Sequence, residues 1–123
     1  KDIIMTKEQR KAVKILQDQL KETDVPWPDD LLWDTLVKFQ RYPFHTAKNL
    51  EFFYIIKGNE MFVTRKDKSI TRASVMMAFH KALELGRIVT GPKKLGTFGA
   101  SYLYPVFREI GVIIEARADY KYF

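Results

Sequence analysis

The sequence predicts an α+β fold: an N-terminal helical pair, a β-hairpin, a basic helix, a glycine-lysine loop, and a C-terminal helix with a short strand. Three observations predict it. Apolar residues recur at helical spacing from Thr6 to about Tyr42, two β-rich runs then flank a Gly-Asn pair between Glu51 and Arg65, and helical spacing returns after Lys68. The 123 residues, 46% hydrophobic and 14% aromatic, match one domain with its own core. A single domain over 1–123 is therefore expected, with a helical part at 6–42, a hairpin at 51–65, a basic helix and loop at 69–99, and a helix and strand at 101–115.

The first helix opens at Thr6-Lys7-Glu8-Gln9, where the Thr6 hydroxyl can cap the helix and the Gln9 side chain can return a bond to the Thr6 amide. It is expected to reach about Glu22, with Ala12, Val13, Leu16 and Leu20 on one face. Lys7, Arg10, Lys11, Lys14 and Lys21 read as a solvated surface countered by Glu8, Asp18 and Glu22. Pro26 and Pro28 make 24–29 a loop, because prolines remove donors and disfavour helix before them. Asp29 or Asp30 is expected to cap a second helix carrying Leu32, Trp33, Leu36, Val37 and Phe39, which Tyr42-Pro43 stops. A short connection predicts that the two helices pack as a hairpin.

Phe52 to Ile56 and Met61 to Arg65 read as strands, and glycine first in the Gly58-Asn59 pair suits a primed turn. Both runs are continuously apolar, so each face of the hairpin is expected to meet another element. Ser69 or Thr71 then caps a third helix that ends near Leu85 and is closed by Gly86. With Val75, Phe79, Ala82 and Leu83 inward, Ile70, Ala73, Ser74, Met77, His80, Lys81 and Glu84 face outward. A short strand is expected at 87–90, a loop at 91–99, a fourth helix at about 101–110 that Pro105 delays or bends, and a last strand at 112–114. The tail at 120–123 carries no decisive pattern.

Charge gives the functional signal. The net charge of +6 is confined to 57–94, which holds nine Lys/Arg against three Asp/Glu, while the other residues hold twelve of each sign. A neutral scaffold with one basic segment builds a local positive field, the means by which a polyanion is gathered and oriented. Nucleic acid is the expected partner and duplex DNA the favoured form, in a transcriptional or mobile-element regulator. Arg65, Lys66, Lys68 and Arg72 are placed on phosphates, with Thr71 at the helix start beside them. Ser69, Ser74 and Lys81 are placed near bases, and Lys93 and Lys94 on the flanking backbone. This order of parts loosely resembles winged-helix logic.

Other readings compete with that one. Ala73 and Met77 lie four apart and, with Ile70, would also suit a protein-interaction or homodimer patch. Phe52, Phe53, Tyr54 and Phe62 would suit a stacking platform for single strands, although aromatics in unbroken apolar strands are ordinarily core. A small basic nuclease would use His45 or His80 to move a proton and Arg72 or Lys68 to steady charge, but two histidines define no geometry, and a non-enzymatic role is expected. Gly91, Gly96 and Gly99 lack the Gly-Lys-Ser/Thr that a nucleotide P-loop needs.

No cofactor or metal site is implied, since cysteine is absent and neither histidine has ligand spacing. Absence of cysteine suits a reducing compartment, and no apolar run approaches the roughly 18 residues of a membrane span, so a cytoplasmic protein without a membrane partner is expected. The sequence opens at Lys1 rather than Met, which leaves open a piece of a longer protein.

Overall fold

Thr6 opens the first helix through reciprocal bonds: the Gln9 amide donates to the Thr6 hydroxyl at 3.1 Å and the Thr6 amide to the Gln9 side chain at 2.9 Å. This cap starts α1 (Lys7–Leu20) in the computed structural model, which describes residues 4–22 and 24–114. α2 (Asp29–Lys38) packs on α1, and the Gln9 side chain donates to the Lys38 carbonyl at 2.9 Å, fixing the two helices antiparallel as the sequence predicts. The expected cap on α2 is corrected. Pro28 occupies the cap position, no side chain bonds the first amides, and Asp29 and Asp30 lie inside the first turn. Carboxylates there still favour the positive helix end, and they remain available to bond a neighbouring element.

The hairpin forms as β3 (Tyr54–Lys57) and β4 (Glu60–Val63), paired from Lys57↔Glu60 to Tyr54↔Val63. Between the central residues only Gly58 has positive φ, at 61°, the pattern of a type II′ turn. The first expected strand is split. Its start is β2 (Glu51–Phe52), which pairs with β1 (Phe44–His45), while β5 (Ile70–Thr71) adds to β4 to give the antiparallel order β3-β4-β5. Contrary to expectation, β4 alternates: Met61 and Val63 are buried whereas Phe62 is 38% exposed. One face of this sheet packs on the core and the other meets solvent, the usual state of an antiparallel sheet.

Ile70 belongs to β5 and is fully buried, so it does not sit on the outer side of the third helix. α3 (Arg72–Glu84) starts after it, with Thr71 as cap accepting from the Ser74 amide at 3.2 Å. Past α3, Gly86 and Arg87 both take positive φ and turn the chain. The strands expected at 87–90 and 112–114 reduce to one parallel bridge between Ile88 and Ile114. A 3₁₀ turn (Pro92–Leu95) with Leu95 buried follows, so that loop is anchored.

α4 (Ala100–Glu109) contains Pro105 without delay. A proline costs the bond to the carbonyl four residues back, here Ser101 in the exposed first turn, where water can take its place. Every element contributes to one apolar cluster that includes Leu16, Leu36, Phe44, Phe52, Tyr54, Ile70, Phe79, Leu95 and Phe107. None of the helices described is long and apolar enough to cross a membrane. The tail at 120–123 lies outside the described residues.

Candidate nucleic-acid interface

α3 turns Val75, Ala78, Phe79 and Ala82 into the core and leaves Ala73, Met77, Lys81 and Glu84 in solvent, with Met77 62% exposed. Beside it runs an open cleft of ≈ 450 Å³, walled by Met77, His80, Lys81 and Glu84 on one side and by Leu95, Gly96 and Thr97 on the other. The basic turn before β5 reaches the same region. Lys66 Nζ lies 3.8 Å from the centre of the Phe98 ring, and Gly99 packs so closely on Ile70 that a Cβ would overlap that side chain. The turn at 65–68 is thereby tied through Phe98 to the loop that walls the cleft opposite Lys81, and Lys93 and Lys94 sit on the 3₁₀ turn that leads into that loop. Among the described residues, the side chains of Lys68, Lys81, Lys93 and Lys94 are exposed and make no ion pair or hydrogen bond.

Other predicted contacts are already engaged. Arg72 donates to Asp30 at 2.8 Å and to the Asn59 side chain at 3.4 Å, with its guanidinium 5.0 Å from the Trp33 ring. Arg65 Nε donates to the Glu51 carbonyl at 2.8 Å. The Ser69 hydroxyl bonds Glu60, and the Thr71 and Ser74 hydroxyls bond each other at 3.2 Å. At the start of α3 the Arg72 amide donates to the Asn59 carbonyl at 2.8 Å, so with Ser74 capped by Thr71 two first-turn amides already have protein partners. The arrangement therefore offers side-chain cations more than an open helix terminus.

Arg87 counts toward the basic segment yet serves the fold. Its guanidinium bonds the carbonyls of Gly111 at 2.6 Å and Val112 at 3.1 Å and the Gln17 side chain at 2.7 Å, holding the end of α4 against α1. Burial lowers its pKa from the usual arginine value.

His80, expected on the outer side of α3, is half-buried: its Nε2 lies 2.7 Å from Asp29, and the Trp27 ring centre is 4.9 Å away. His45 lies 3.6 Å from Glu51 across the β1–β2 pair. On that side Tyr42 donates to Glu109 at 3.0 Å, and burial together with the Glu109 carboxylate pushes the phenol up to about 12. Among the described residues no three His, Asp or Glu side chains converge as a metal site would require.

Sequence reasoning did not find the partners of His80, Arg72 and Arg87, because the pairs with Asp29, Asp30 and Gly111 join residues at least 24 positions apart. It had one usable signal for Phe62. Glu60 and Thr64, two positions to either side of it, are polar, and a strand face so flanked belongs in water. No protein-family model, curated protein or solved structure matches this chain.

Proposed function

We propose that this chain binds nucleic acid, with duplex DNA favoured, by laying the exposed side of α3 and the adjoining 3₁₀ turn against it. One observation carries the proposal: Lys81 lines the α3 cleft, Lys93 and Lys94 stand exposed on the 3₁₀ turn that leads into its far wall, Lys68 is exposed on the turn before β5, and none of the four has an acidic partner among the described residues. Unpaired lysines on one surface repel each other, and phosphates relieve that repulsion while releasing condensed counterions. Lys66, Lys93 and Lys94 take backbone phosphates in this arrangement, and Ala73, Ser74 and Lys81 face the base edges that a major groove displays to a helix. Glu84, on the same wall of the cleft, limits the contact to the first three turns of α3 by repelling phosphate. The role is binding rather than catalysis, in a cytoplasmic regulator of transcription or of a mobile element.

Salt titration of duplex binding tests the proposal. If Lys66, Lys68, Lys81, Lys93 and Lys94 each neutralise one phosphate, log K falls with log salt at a slope of about −4 to −5, from about −0.9 per contact. Replacing Lys93 and Lys94 by Ala makes that slope shallower by about 2 and weakens all duplex sequences alike. A slope near zero, or no binding at low salt, refutes the reading.

A further inference from the structure

The solvent face of the β3-β4-β5 sheet carries side chains that the α3 surface does not use. Phe53 and Phe62 are 36% and 38% exposed. Phe62 stands opposite Ile55 in the ladder, and Phe53 lies diagonal to it beside Thr64, whose amide donates to the Phe53 carbonyl at 3.0 Å. Diagonal neighbours on one strand pair are within reach of two aromatic side chains. Cations stand on the same strands: Lys57 Nζ is 5.9 Å from the Phe62 ring centre, and Arg65, held on the Glu51 carbonyl, follows Thr64, whose amide bonds the Phe53 carbonyl.

We propose that this sheet face is a second nucleic-acid site, one that takes unpaired nucleotides by stacking bases on Phe62 and Phe53 and holding the intervening phosphates with Lys57 and Arg65. It deepens the nucleic-acid reading and rests on it. The occupant follows from two neighbouring exposed rings with cations on the same strands, since a nucleotide presents one π-face and one anion per unit and stacking accepts any base. An apolar protein surface would leave the cations unmatched. Glu60 is the carboxylate on this face, and it is bonded by the Ser69 hydroxyl, while Glu51 and Asp67 lie toward the strand ends. The hairpin tip adjoins the start of α3, where the Asn59 carbonyl accepts from the Arg72 amide at 2.8 Å.

Fluorescence anisotropy with labelled oligothymidylate and oligouridylate of about 12 nucleotides, beside a duplex probe, decides the matter. Phe53→Ala combined with Phe62→Ala should weaken single-strand binding about tenfold or more, whereas Phe62→Tyr, which keeps a ring, should stay within about twofold of the original. Duplex affinity should not change in either variant, and Phe62→Tyr should melt like the parent. Single-strand binding that ignores the rings, or none by the unaltered chain, overturns the sheet site. Ring-dependent single-strand binding without duplex binding leaves the sheet site standing and removes the α3 reading instead.

Discussion

Arg72 at the start of α3 and Asp30 in the first turn of α2 meet at 2.8 Å, with the Asp30 side chain 95% exposed. A pair so solvated contributes little to the fold, and its carboxylate occupies the guanidinium where a phosphate would otherwise sit. Asp30→Ala should therefore tighten duplex binding by about threefold to tenfold and steepen the salt slope by about 0.9, since one more cation becomes available. Unchanged affinity and slope in that titration would place Arg72 outside the interface.

Gly111 has φ of 81°, and a Cβ there would run into the Gln17 amide, which donates to the Ile110 carbonyl at 3.1 Å and the Gly111 carbonyl at 2.6 Å. Gly111→Ala should cost about 2–4 kcal/mol in urea unfolding, combining left-handed strain with loss of the Gln17–Arg87 clamp. Gly58→Ala, at φ of 61° with open space around it, should cost only about 1–2 kcal/mol. Equal losses would mean that the clamp adds nothing beyond backbone strain.

The sequence left Ser69 and Thr71 as alternative caps, and only Thr71 accepts from a first-turn amide of α3. Thr71→Ala should lower stability by about 1 kcal/mol. Ser69→Ala should do less, as its hydroxyl bonds the exposed Glu60. Chemical denaturation of the two variants side by side checks the order.

Alkaline unfolding should report Tyr42. Its phenol titrates near 10.0 in an unfolded chain but at about 12 when folded, because burial and Glu109 both disfavour phenolate. The folded state keeps a proton that the unfolded state has lost, so stability is fully present below pH 10.0 and falls as the pH rises toward about 12. Tyr42→Phe should make that fall shallower without abolishing it, since burial raises Tyr54 as well. Melting temperatures across this range that are identical in both chains would contradict the assignment.

Where residues close in sequence settle a conformation, the sequence was legible. The Thr6–Gln9 cap, the Gly58-Asn59 turn and the inward Val75, Phe79 and Ala82 of α3 follow from bonds and periodicities spanning a few positions. The candidate site was legible in part for the same reason: Lys81, Lys93 and Lys94 are exposed as expected, while Ile70 and His80 are not. Ile70 was misread because helical spacing continues backward across a strand that pairs with Met61. That pairing carries no local sign.

By itself the sequence determined the α+β class, the Thr6–Gln9 cap, the turn and the confinement of surplus charge to 57–94, all properties of short windows or of composition. Only the tertiary structure decided which cations face solvent unpaired and which are committed elsewhere. Arg72 and Arg87 look like Lys93 and Lys94 in the linear chain, yet they meet Asp30 and the end of α4. The physical reason is that a charge is matched by whatever folding brings within a few ångströms, and those partners come from elements whose positions the hydrophobic core fixes.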